Sequence, residues 1–155
     1  ENGQGTLLAN VDVPERTNGM AIDSFGKIFL TQGVSGRDSF AYTVNRANGQ
    51  VSTVGALSPY RSSGDCVVLK DDSLLMSARG AEGSDLLVYV DSQSAETRVI
   101  GDIGFPEVYG LSASWNYLFG VTDAGKVLVI DPDTGAGRLL FERADTRFWG
   151  AANGD

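Results

Sequence analysis

The stretch "VIDPDTGAGRLLF" (129–141) sets Asp131 and Asp133 two residues apart with Gly135 behind them, which is how a calcium loop begins. The full loop needs a third oxygen ligand, a glycine at its sixth position and a distant bidentate glutamate. Here the fifth and sixth positions are Gly135 and Ala136, so the third ligand and the sixth-position glycine are missing. Pro132 fixes one φ and Gly135 supplies a positive one, which is turn chemistry. The expectation is therefore an Asx turn, in which Asp131 accepts a backbone N–H, with a metal site at Asp131 and Asp133 as the alternative. "KDDS" (70–73) reads the same way, as an exposed hairpin. The glycines of "GVSG" and "GAEG" lack the spacing and the following helix of a phosphate cradle.

Other chemistries are removed by composition. The chain has no histidine, so Ser-His-Asp and Cys-His nucleophiles, histidine-ligated zinc and the commonest general base are absent. Cys66 is the single cysteine, which allows no internal disulfide, and it falls on an apolar run as a small core residue. A net charge of −8 repels phosphate backbones and anionic bilayers, so neither nucleic acid nor membrane is an expected partner. No run approaches the roughly 18 apolar residues of a membrane span, and no signal-peptide pattern opens the sequence. With 155 residues, 42% of them hydrophobic, the expectation is one globular domain over 1–155.

The elements that position these residues come in three copies. "NGMAIDSFGKIFLTQ" (18–32), "GDCVVLKDDSLLMSA" (64–78) and "GLSASWNYLFGVTD" (110–123) each hold a glycine, an apolar run, a polar turn and a second apolar run. A third run follows each, "FAYTVN", "LLVYVD" and "VLVID", and then a fourth, "VSTVGAL", "TRVIGDI" and "GRLLFE". From Asn45 to Gly64, Asp91 to Gly110 and Asp131 to Gly150 the spacing is 19 residues each time. β-Branched and aromatic residues fill these runs, Gly, Asn, Asp and Ser punctuate them, and no 3.6-residue apolar stripe occurs. Four-stranded units of about 45 residues are the signature of β-propeller blades. The expected fold is all-β: three blades at about 19–56, 64–102 and 110–142, flanked by an outer strand at 6–12 and an inner strand at 150–154. A β-trefoil is the alternative.

"VLVIDPDTGAGRLL" resembles the strand–turn–strand of pyrroloquinoline-quinone-type and NHL-like propeller repeats, where Ile-Asp-Pro-x-Thr-Gly recurs. "FWGAANGD" is similar to blade starts of bacterial secreted propellers. The resemblance implies the propeller architecture and an extracellular or cell-surface location, with the cytoplasm as alternative. It carries over no cofactor, because Trp115 and Trp149 occupy no repeated slot of the kind that docks quinone-type blades.

Three blades with open edges lead to a further expectation, a dimer in which two copies complete a ring. The loops leaving each fourth strand ("PERTNG", "PYRSSG", "PEVYG", "DTRFWG") and those after each second strand ("TQGVSGRDS", "SARGAEGSD") emerge at one end. They bring Arg16, Arg37, Arg61, Arg79 and Arg147 beside Tyr60, Phe105, Tyr109 and Trp149, an expected binding face for a protein, peptide or carbohydrate. The functional expectation is a non-catalytic binding module. The alternative is a propeller hydrolase or lyase working through carboxylates at the channel mouth, for which only Asp65 and Asn153 lie on first strands.

Overall fold

The computed structural model describes residues 4–5, 7, 10–13, 16–34, 38–81 and 83–152, and every structural statement concerns those residues. They form twelve strands and no helix: β1 Thr17–Ile22, β2 Ile28–Gln32, β3 Phe40–Val44, β4 Val51–Ala56, β5 Ser62–Val68, β6 Leu74–Arg79, β7 Asp85–Val90, β8 Thr97–Asp102, β9 Val108–Ser114, β10 Tyr117–Thr122, β11 Lys126–Ile130 and β12 Gly137–Glu142. Successive strands pair antiparallel into three four-stranded sheets, β1–β4, β5–β8 and β9–β12. These are blades 1, 2 and 3, and the β-trefoil alternative is set aside. The three sheets do not close into a ring.

Alternation along the strands decides how blades stack, because successive side chains leave opposite faces. Ala21, Phe29 and Ala41 of blade 1 meet Cys66, Met76 and Val88 of blade 2. The opposite face of blade 2, with Val67, Leu75 and Leu87, meets Leu111, Leu118 and Leu128 of blade 3. Blade 2 is therefore covered twice, and β6 ("LLMSAR") is buried at every position but its last. Each large side chain enclosed in these seams contributes about 1.5–3 kcal/mol of transfer free energy. On β1 the alternate residues Met20 and Ile22, turned away from blade 2, stay more than half exposed.

Glycine sets the spacing at two levels. A methyl group on Gly19 would stand 2.8 Å from the Cys66 nitrogen, one on Gly64 2.7 Å from the Tyr109 oxygen, and one on Gly110 2.5 Å from the Ala151 nitrogen. The innermost strands thus stack backbone to backbone. Further out, a methyl on Gly55 would meet the Ala95 side chain at 3.1 Å, and one on Gly101 the Thr134 backbone at 2.9 Å. The turn of the next blade rests on each of these two glycines. The matching position on β12 holds Phe141, opposite Val127 as Gly101 is opposite Leu87.

Two expected strands are corrected. Residues 10–13 form no strand, and the remainder of 6–12 lies largely outside the described residues. Residues 150–152 form none either, although Gly150 and Ala151 lie against Gly110 where a following inner strand would run. With no ladder bonds from a second and third strand outside it, that segment has position without pairing. β1, β5 and β9 also start two or three residues earlier than expected, because Thr17, Ser62 and Val108 still pair with Gln32, Ala78 and Thr122.

Asp131 lies in one of three equivalent turns. Asp131 Oδ1 accepts the N–H groups of Asp133 at 2.9 Å and Thr134 at 3.1 Å. Asp91 Oδ1 does the same for Gln93 and Ser94, and Asn45 Oδ1 for Ala47. Each turn closes with the N–H of a positive-φ residue (Gly49, Ala95, Gly135) donating to the carbonyl of its leading Asn or Asp. These donors favour the ionised carboxyls and hold Asp131 and Asp91 below the usual carboxylate range.

Candidate functional site

One end of the molecule gathers the loops after β2, β4, β6, β8 and β10 together with residues 143–149. Backbone bonds tie them to one another: Leu57 N to Ser39 O, Arg79 N to Arg61 O, Asp85 N to Phe105 O, and Asp123 N to Glu107 O. Every buried polar residue lies at or near this end: Thr31, Gln32, Ser39, Ser62, Ser63, Asp65, Ser77, Asp85 and Thr122. Apolar pairing along the seams fills the rest, so the polar groups must be satisfied here or remain unpaired.

Blade 2 uses three of them to grip blade 3. Asp65 Oδ2 accepts the Leu111 N–H at 3.0 Å, while its Oδ1 accepts the Cys66 N–H at 2.9 Å. Asp85 Oδ2 accepts the Val108 N–H at 2.8 Å, and Ser77 Oγ donates to the Val108 carbonyl at 2.9 Å. Burial pushes the Asp65 carboxyl up to about 6, against the opposing pull of N–H groups from Leu111, Cys66 and Met20. Burial also raises Asp85. Cys66, enclosed beside Asp65, has its thiol pushed up to about 12 by burial, which leaves it inert. The sequence placed Asp65 as a carboxylate reaching toward the channel. Its oxygens are instead taken up by strand backbones, and Asn153 lies outside the described residues.

Beside this grip stands the one cluster that the structure assembles from the expected face. Arg79 Nη2 donates to Tyr109 Oη at 3.2 Å, and its guanidinium carbon lies 5.6 Å from the centre of that ring. Tyr109 Oη donates in turn to Glu107 Oε1 at 3.3 Å. The Trp149 indole stacks on Tyr109 with centroids 5.8 Å apart and planes 22° apart, yet 70% of Trp149 stays exposed. Next to Glu107, Asp123 Oδ2 lies 3.6 Å from Arg147 Nη1, and Asp123 Oδ1 is buried without a hydrogen-bond partner. Glu107 adopts φ 55°, a sparsely populated conformation for a residue with a Cβ.

The other expected residues go elsewhere. Tyr60 packs against the blade 1–2 core, and Phe105 packs against the blade 2–3 core under the Lys126 ammonium. Arg61 is half buried and serves through its carbonyl, while Arg16 is exposed with φ 63°. Arg37 lies outside the described residues. Glu107 and Asp123 were missed. Glu107 sits in "PEVYG", read for its tyrosine, and Asp123 in a three-residue turn too short to draw notice. Among the described residues no three His, Cys, Asp or Glu side chains stand together as a metal site.

Comparison with known proteins agrees on architecture. No family model and no curated protein matches the chain. Among solved structures it is similar to an aldose sugar dehydrogenase from Streptomyces coelicolor, determined with pyrroloquinoline quinone bound, at 14% identity and a TM-score of 0.60, over 80% of this chain and 47% of the other. It is similar to a gluconolactonase from Xanthomonas campestris at 16% identity and a TM-score of 0.60, over 88% of this chain and 52% of that one. The computationally designed Ika4 protein matches over 98% of this chain and 89% of its own, at 14% identity and a TM-score of 0.52. The fold is that of a β-propeller repeat protein, and the chain spans about half the length of the two enzymes it resembles.

Proposed function

We propose that this chain is a non-catalytic propeller-type binding module that holds a sugar at the Arg79–Tyr109–Trp149 cluster. The observation that carries this reading is the exposed indole of Trp149, pre-stacked on Tyr109 and flanked by groups of both hydrogen-bonding senses. An aromatic face suits the C–H side of a pyranose ring. Arg79 and Arg147 offer donors to its oxygens, while Glu107 offers an acceptor to its hydroxyls. The hydrolase or lyase alternative draws less support, since Asp65, its described carboxylate candidate, is buried and hydrogen-bonded to backbone. A second copy belongs to the same reading, because blade 1 leaves Met20 and Ile22 uncovered and blade 3 leaves Leu140 and Phe141 half exposed.

The test is a fluorescence titration with a panel of neutral monosaccharides and uronates. It is run in a Trp115→Phe background so that Trp149 is the sole indole. A saturable change that is lost in Tyr109→Ala and weakened about tenfold in Arg79→Gln supports the proposal. The absence of any saturable response across the panel removes it.

A further inference from the structure

At the opposite end of the seam between blades 1 and 2, the internal repeat acts as its own control. Blade 1 maps onto blade 2 with a constant offset of 46 residues, Ile28 to Leu74 and Val44 to Val90. In blade 2 the lower part of the face toward blade 3 is filled by Tyr89, with the Arg98 guanidinium carbon 5.4 Å from its ring centre. The same two positions in blade 1 are Thr43 and Ser52. Where blade 2 has Ser73 and Ser92, blade 1 has Lys27 and Arg46. Two exchanges remove bulk, one of them together with the Arg98 charge, and two add positive charge, all within one spot of a chain whose net charge is −8.

The space so opened is a cleft of about 320 Å³ lined by Phe25, Lys27, Thr43, Asn45, Arg46 and Ser52. That volume is at the lower end of small-molecule sites. Lys27 is held over it: its ammonium donates to the Ser92 carbonyl at 3.3 Å across the seam and lies 4.8 Å from the Phe29 ring centre. Two of its three N–H donors stay free. The Arg46 guanidinium lies beside Gly26, 3.3 Å from where a methyl there would be, and makes no hydrogen bond or ion pair among the described residues. The carboxylate of the adjoining turn, Asp23, accepts the N–H groups of Phe25 and Lys27 through Oδ1 and forms no ion pair with Lys27 or Arg46 among the described residues. The Phe25 ring stands 87% exposed at the rim.

We infer that this cleft is a binding site for a small organic anion, with its carboxylate or phosphate between Lys27 and Arg46 and its apolar body against Phe25. A planar guanidinium and a point-like ammonium together suit an oxyanion with two or three acceptor oxygens, and the Thr43 and Ser52 hydroxyls supply further donors. The site lies at the end remote from the proposed sugar cluster, so either can fail alone.

Benzoate and its neutral counterpart benzyl alcohol are the probes, followed by amide NMR shifts in the wild-type chain. Benzoate is expected to shift signals of residues 25–27, 43–46 and 50–52 saturably, with affinity about tenfold above benzyl alcohol. Lys27→Gln/Arg46→Gln should abolish that preference. Thr43→Tyr/Ser52→Arg, which installs blade 2's own filling, should abolish binding with the melting temperature kept. Equal affinity for both probes, no saturable shift, or unchanged binding in either double variant overturns the inference.

Discussion

The two seams between blades share one register and are closed by different means. Blade 2 meets blade 3 through side chains that reach into backbone: Asp65 to Leu111, and Asp85 and Ser77 to the two polar groups of Val108. Blade 1 meets blade 2 through apolar packing around Phe29, Leu57 and Met76. The side-chain hydrogen bonds that cross this seam, from Asn18 to the Ser62 carbonyl, Ser24 to Asp72 and Lys27 to the Ser92 carbonyl, lie at half-buried or exposed positions rather than inside it. Along that seam the Ser39 and Ser62 hydroxyls are buried with no partner, and a cleft remains at its lower end. Apolar contact is non-directional and tolerates such loose ends. Directed hydrogen bonds do not, but they fix position. The Arg79–Tyr109–Trp149 cluster sits on the bonded seam, where Arg79 and Tyr109 come from different blades and must be held in one geometry.

Four changes would break or sharpen this contrast. The largest effect is expected from Gly135→Ala. Gly135 has φ 76°, and a methyl there would meet the Gly101 backbone at 2.7–2.8 Å, so left-handed strain adds to overpacking. A loss of about 3 kcal/mol by urea denaturation is expected; a loss under about 1 kcal/mol would mean that the outer edge of this seam has slack.

Next come Asp65→Ala and Ser62→Ala, one in each kind of closure. Removing the Asp65 carboxyl leaves buried N–H groups of Leu111 and Cys66 unpaired, at about 2–4 kcal/mol. Removing the unpartnered Ser62 hydroxyl should change stability by less than about 0.5 kcal/mol or raise it slightly. Equal costs in the two variants would erase the distinction drawn between the seams.

The bonded seam also carries a pH dependence. Burial pushes the Asp65 carboxyl up to about 6 when folded, above the 3.8 of an unburied aspartate, so the folded chain binds that proton more tightly than the unfolded one. Its contribution is then fully present below about pH 4 and is lost as pH rises through about 6, by roughly 2–3 kcal/mol. Urea midpoints for wild type and Asp65→Asn, whose amide stands in for the neutral carboxyl, should lie close at pH 4 and separate as pH rises to 7, with the wild type falling. Parallel curves would remove Asp65 as the source.

A smaller effect than that of Asp65→Ala is expected at a turn outside both grips. Asp131→Ala should cost about 0.5–2 kcal/mol, the usual range for a side-chain cap on backbone N–H groups. Calcium should leave the melting temperature of both proteins unchanged. A calcium-dependent rise in wild type alone would favour the metal reading of Asp131 and Asp133.

The three blades were legible because spacing and alternation are properties of the chain. The constant interval after Asn45, Asp91 and Asp131 marks equivalent turns, and period-two burial marks equivalent faces. The candidate site was legible only in part. Composition put arginines and aromatics at one end, but a loop side chain can turn outward or into a seam. Tyr60 and Phe105 took the second course because apolar surface lay within reach. Arg79, Tyr109 and Trp149 come from three separate segments, so no local pattern announced their meeting. Asp65 misled because alternation places it on an inner strand, whereas its oxygens find N–H donors there before any solvent.

Phe141 bears on how this array behaves in a crowd of its own kind. Two faces that continue one series fit each other, and faces that fit without turning back to close make filaments with no set length. At the outer edge of blade 3, a half-exposed aromatic side chain occupies the seat that Gly55 and Gly101 keep empty for an incoming turn. Stacking of further copies in the same register therefore meets an obstruction one residue wide. Light scattering at micromolar concentration is expected to show larger assemblies for Phe141→Gly than for wild type. Identical mass distributions for the two would mean that this side chain has no part in limiting growth.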